Sequence, residues 1–111
     1  MVRRGEIYLV EWSPGRGSEQ TGIRPALVVQ NDVGNQNSPT TIVAAVSTQR
    51  RKAYPFQVLI GSRDSGLPQD SIVKCEQLQT IDQSWLGRRI GTLSTDRMRQ
   101  VDIALRRSLA L

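Results

Sequence analysis

The sequence predicts a mainly β domain of the α+β type: a compact, mostly antiparallel sheet or barrel with one C-terminal helix against it. Three observations carry this expectation. Short apolar runs alternate with turn-rich breaks, the runs are rich in Val and Ile, and only residues 95–111 repeat apolar positions at helical spacing.

In chain order, the predicted strands are "EIYLVEW" (6–12), "ALVVQ" (26–30), "TTIVAAVST" (40–48), "FQVLI" (56–60) and "SIVKCEQL" (71–78), with "RIGTL" (89–93) as a short last one. Between them, "SPGRGSEQTG" (13–22) holds three glycines and a proline, too many for regular structure. "NDVGNQNSP" (31–39) and "GSRDSGLPQD" (61–70) also read as turns. A short helical turn is expected in "DQSWLGR" (82–88). For the C-terminal helix, Ser94 or Thr95 is the cap and Asp96 favours the dipole. Met98, Val101, Ala104, Leu105 and Leu109 form its apolar stripe.

A chain of 111 residues is expected to form one domain, spanning 1–111, and its 38% hydrophobic and 23% charged content suits a soluble protein. No apolar stretch approaches the roughly 20 residues that span a bilayer, and "MVRRGEIYLVEW" lacks a signal peptide's apolar middle. Cys75 is the single cysteine; it can form no internal disulfide, which fits a reducing cytoplasm, and it reads as a small buried hydrophobe. A net charge of +5 favours a polyanionic partner, nucleic acid or acidic protein. Lysine occurs only at Lys52 and Lys74, so arginine, whose guanidinium grips phosphate in a fork, carries nearly all the positive charge.

The chain has no histidine, which excludes Cys–His, Ser–His–Asp and histidine-built zinc sites. No carboxylate spacing suggests a two-metal cluster, and the glycine-rich loop lacks the Lys-Ser/Thr of a phosphate-binding P-loop. Neither metal nor cofactor is expected. Catalysis is left to Arg, Ser, Thr, Tyr, Glu or Gln. That set suffices for cleaving RNA, whose own 2′-hydroxyl attacks the adjacent phosphate once it is aligned and the charge on the phosphoryl oxygens is stabilised. DNA lacks that hydroxyl.

"RRGEIYLVEW", "GSEQTGIRPALVVQND", "GNQNSPTTIVAAVST" and "EQLQTID" together resemble, in order, the MazF/PemK toxins of bacterial toxin–antitoxin systems. The resemblance runs from residue 3 to the C-terminal "RRSLAL". It implies a small SH3-like β-barrel of about five to seven strands with a C-terminal helix and a short additional helix. It also implies a homodimer and a metal-independent, sequence-specific endoribonuclease acting on single-stranded RNA, chiefly messenger RNA. A cognate antitoxin with an acidic, flexible segment is the implied protein partner. The alternative is a non-catalytic barrel of the same fold that binds nucleic acid or gyrase.

The resemblance places the family's arginine on Arg24 and its threonine on Ser47, where the hydroxyl survives without the methyl. Thr48 stands in reserve, since neighbours on a strand point to opposite faces. Pro25 holds Arg24 extended, on a base set by the buried run behind it. A bland role, bracing a turn against Glu19 or Glu76, competes with phosphate clamping. Gly17, Ser18, Glu19, Gln20 and Thr21 are candidates to hold RNA bases or close over them. Gln49, Arg50, Arg51 and Lys52, at a strand exit, are candidate phosphate contacts, and Gln77 and Thr80 candidate base readers. Trp12 and Trp85 are assigned to packing or the dimer interface, and Arg88, Arg89, Arg106 and Arg107 to surface charge.

Overall fold

The computed structural model describes residues 1–12 and 22–111. Among these residues six strands form one sheet: β1 (Glu6–Trp12), β2 (Gly22–Val28), β3 (Thr40–Thr48), β4 (Gln57–Ile60), β5 (Ser71–Asp82) and β6 (Leu86–Thr92), in the order β4-β5-β3-β2-β1-β6. Every neighbouring pair is antiparallel. The mainly β expectation therefore holds, with β2, β5 and β6 longer than the apolar runs alone indicate. β2 begins at Gly22 because ladder partners on β1, not side-chain burial, hold its first residues.

The strand pleat sorts the side chains into two cores. Ile7, Leu27, Ala44, Val46, Val58, Ile60, Val73 and Cys75 share the concave side with Leu93, Val101 and Ala104. Val10, Trp12, Ala26, Val28, Val43 and Ile81 cover the other, with Trp85 and Leu86 against them. Each fully buried Val, Leu or Ile contributes about 1.5–3 kcal/mol. Both tryptophans pack as expected. Trp12 is 2% exposed, and its indole N–H finds no acceptor among the described residues.

Helix α3 (Thr95–Leu109) starts where its capping chemistry predicts, the Ser94 hydroxyl accepting from the Arg97 N–H. Its stripe is shorter than expected, because Leu109 at the last turn is exposed. Two other helices escape the sequence pattern. α1 (Asp32–Asn37) and α2 (Ser62–Ser65) lie in segments read as turns. Both are too short to show a 3.6-residue period, and local caps hold them: the Asn31 side chain accepts from the Gly34 N–H at 2.7 Å, and Asp64 accepts from the Gly61 N–H at 3.0 Å. The expected turn at 82–88 narrows to a 3₁₀ turn, Gln83–Trp85.

Helix α2 also brings the sheet's two edges together. It leaves β4 and packs on β6, curling the sheet toward a barrel. Gly66, at φ +80°, lets the chain turn there, and a Cβ on it would fall 2.7 Å from the Ile90 carbonyl oxygen. A Cβ on Gly91 would meet the Ser65 carbonyl just as directly. Gly91→Ala should therefore force this seam apart, costing about 1–3 kcal/mol. Thermal melting checks it, and an unchanged midpoint would refute the close approach.

A charged knot pins β6 to β1. The Glu6 carboxylate accepts from Arg89 Nη1 at 2.9 Å, from the Tyr8 hydroxyl at 2.9 Å and from the Arg3 N–H at 2.7 Å. Burial raises the Glu6 pKa, but the Arg89 hydrogen bond, then those from Arg3 and Tyr8, outweigh it and leave the group below its ordinary 4.5. Burial, followed by the bond to Glu6, pushes Tyr8 up to about 12. Because Glu6 binds its proton less readily folded than unfolded, its stabilising contribution is present above pH 4.5 and fades as pH falls below it. Asp32 and Asp82 are lowered as well. Glu6→Gln should thus flatten part of the acid limb of stability against pH, read by denaturant unfolding; an unaltered slope would contradict the assignment.

Candidate active site

The β2–β3 ladder pairs Val28 with Val43, Leu27 with Ala44 and Ala26 with Ala45. Beyond Ala26 the two strands part, and a cavity of about 830 Å³ opens between them. Extending the same alternation two residues puts Arg24 and Ser47 on the face that Ala26 and Ala45 share. Both line the cavity, together with Pro25, Thr48, Arg50 and Arg51. Ser47 is half-buried, while Arg24 and Thr48 are exposed.

The third wall comes from β5. Ser47 lies opposite Ile72, and Ala45 opposite Lys74. Arg24, Ser47, Ile72 and Lys74 thus share one face of three neighbouring strands, and Lys74 lines the cavity too. A hydroxyl sits on the strand between two cationic side chains. Such an arrangement can bind a phosphodiester and neutralise charge gathering on its oxygens. The segment after α2 completes the cavity through Leu67, Pro68, Gln69 and Ser71. It is tied to the exit of β3 by the Gln49 N–H, which donates to the Asp70 carbonyl at 2.9 Å.

A bulge in β5 follows directly on Lys74. Its register against β3 steps from Ala44↔Leu78 to Ala45↔Lys74, so residues 75–77 are looped out. The pleat resets across that step, and Cys75 and Leu78 both reach the concave core while Lys74 keeps the cavity side. Bulges re-aim side chains in this way beside functional sites. Burial, and secondarily Glu76, pushes the Cys75 thiol up to about 12, so it is an inert core group as expected.

Other sequence candidates are distributed unevenly. Arg50 and Arg51 join the cavity wall, whereas Gln49 and Lys52 are not among its lining residues. Gln77 falls in the β5 bulge, and Thr80 pairs with Ile42, five residues along β3 from Ser47 and so roughly 16 Å away. Neither lines the cavity. Gly17, Ser18, Glu19, Gln20 and Thr21 lie outside the described residues. Of the two carboxylates weighed as partners for Arg24, Glu19 is in that same segment, while Glu76 accepts from the Gln57 side-chain amide at 2.7 Å. Sequence reasoning missed Lys74 altogether; its one signal is to be a rare lysine within an otherwise apolar strand.

Comparison with known proteins agrees with this architecture. Residues 3–109 match the family model of the PemK-like, MazF-like toxins of type II toxin-antitoxin systems. Endoribonuclease EndoA of Bacillus subtilis (strain 168) is 47% identical over 112 residues, covering 100% of this chain and 97% of that protein. A mycobacterial endoribonuclease solved in complex with its cognate antitoxin superposes with a TM-score of 0.84 at 23% identity, over 100% of this chain and 97% of that one. The Mycobacterium tuberculosis toxin MazF-mt6 gives 0.80 at 24% identity, over 96% and 97%. A MazE-MazF complex from Deinococcus radiodurans gives 0.77 at 20%, over 99% and 96%. With the family model spanning nearly its whole length and a near-half-identical relative besides, this chain belongs to the PemK-like, MazF-like toxin family.

Proposed function

We propose that this chain is the toxin of a type II toxin–antitoxin pair and acts as a metal-independent, sequence-specific endoribonuclease on single-stranded RNA, chiefly messenger RNA. The observation that carries the proposal is the face shared by Arg24, Ser47 and Lys74 inside one cavity. The 47% identical relative is named an endoribonuclease, which supports the same activity here.

In this mechanism the ribose supplies the nucleophile. Arg24 and Lys74 grip the non-bridging oxygens of the scissile phosphate and stabilise the charge they gain as the 2′-oxygen attacks. The Ser47 hydroxyl donates a hydrogen bond to the same phosphoryl group. Arg24 acts in this scheme as a cation that stabilises charge and not as the base. The 2′-oxygen–phosphorus bond forms as the 5′-oxygen–phosphorus bond breaks, leaving a 2′,3′-cyclic phosphate and a free 5′-hydroxyl.

The working unit is a homodimer in the cytoplasm, held inactive by an antitoxin whose acidic segment complements the net charge of +5. Two solved relatives are complexes with an antitoxin or MazE, which supports such a partner. Purified protein in EDTA should cut single-stranded RNA and leave DNA of the same sequence whole. Cleavage that depends on added magnesium, or DNA cut equally well, would overturn the proposal.

A further inference from the structure

Arg51 is placed unlike an ordinary phosphate-gripping arginine. Its guanidinium carbon lies 4.0 Å from the centroid of the Tyr54 ring, and its Nη1 donates to the Lys52 carbonyl at 3.1 Å. Tyr54 in turn stacks on Phe56, with centroids 5.3 Å apart and planes 27° from parallel. Arg51 and Phe56 thus both lie against the Tyr54 ring, and Arg51 belongs to the cavity wall with Arg24 and Ser47.

This group is braced by hydrogen bonds. The Tyr54 N–H donates to Gln57 Oε1 at 3.1 Å, and the Gln57 N–H returns to the Tyr54 carbonyl at 2.9 Å. Gln57 Nε2 donates to Glu76 on β5 at 2.7 Å. From α3, Arg107 Nη1 donates to the Pro55 carbonyl at 3.3 Å. The link between β3 and β4 is therefore tied to the start of β4 and to α3, and through Gln57 to β5. Tyr54 nonetheless remains 49% exposed, outside both cores, so burial does not account for this bracing.

An arginine that only grips phosphate offers its charge and its fork, and is indifferent to whether the neighbouring nucleotide carries a base. One seated on an aromatic ring has one face covered and presents the other, a flat polarised surface on which a nucleobase stacks. We propose that Arg51 forms the floor of a nucleobase subsite, on which the base of a nucleotide next to the scissile phosphate stacks, with Tyr54 as the positioning residue beneath it. This proposal rests on the endoribonuclease activity proposed above and adds a base contact to it.

The test uses a short RNA with one cut site and single abasic substitutions at each flanking nucleotide. For the unmodified protein, one abasic position should lower kcat/KM about tenfold or more, the usual scale of a lost base stack. Arg51→Lys keeps the charge and loses the plane. It should lose about the same factor on intact RNA and become indifferent to that abasic position. Tyr54→Leu should follow Arg51→Lys, Tyr54→Phe should behave as the parent, and matched melting curves exclude unfolding as the cause. Should Tyr54→Leu fail to fold, Arg51→Lys decides alone. Parental rates and a parental abasic penalty in Arg51→Lys would overturn the subsite while leaving the nuclease standing. A parent protein that cuts no RNA would overturn the activity and the subsite together.

Discussion

Arg24→Ala should lower single-turnover RNA cleavage by about 10²–10³-fold, the cost of removing one charged donor from a developing oxyanion. The same change should leave the melting temperature nearly untouched. Arg24 is exposed at the start of β2, and the residues that anchor that strand, Ala26, Leu27 and Val28, are buried behind it. Exposed substitutions of this kind cost within about 0.5 kcal/mol. Arg24→Lys should recover part of the rate, since a point charge remains but the two-pronged grip does not. A parental rate in Arg24→Ala would remove this residue from the mechanism, and a large loss of stability would return it to the role of a brace.

Ser47→Ala should cost about 10²-fold in kcat, with Ser47→Thr near the parental rate and Thr48→Ala only mildly affected. The pleat makes this distinction. Ser47 shares the face of Ala45, while Thr48 falls on the alternate one although its exposed side chain also borders the cavity. A threonine at 47 keeps the hydroxyl and narrows its χ1 freedom, so that variant separates loss of the oxygen from disturbance of the strand. A severe defect in Thr48→Ala with an active Ser47→Ala would move the hydroxyl by one residue.

Much of this was legible in the sequence because it depended on local pattern. Ile7 to Trp12 and Thr40 to Thr48 announced themselves as β-branched or alternating runs, and Ser94 announced its helix. Arg24 stood out because a charged residue and a proline interrupt the entry to a buried strand. What was not legible depended on pairing. Lys74 reaches the cavity because it pairs with Ala45 on β3, two residues from the Ser47–Ile72 pair, and no window of single-strand sequence records a partner's register. Gln77 misses it because it falls in the β5 bulge, and Thr80 because it pairs with Ile42, too far along β3. Helix α1 was hidden by Asn and Gly, residues that serve turns and caps equally. Here the deciding contact is Asn35, whose side-chain oxygen accepts from Thr41 Oγ1 at 2.7 Å on a different element.

The most direct test of the mechanism is an RNA carrying one 2′-deoxyribose at the nucleotide on the 5′ side of the mapped cut, compared with its all-ribose parent in EDTA. The account predicts that the modified strand binds with similar affinity, as measured by fluorescence anisotropy, and is not cut at that bond. It also predicts that the parent strand yields a 2′,3′-cyclic phosphate. Continued cleavage of the deoxy-substituted bond would show that the attacking oxygen is not the sugar's own, and would contradict the roles given to Arg24 and Ser47.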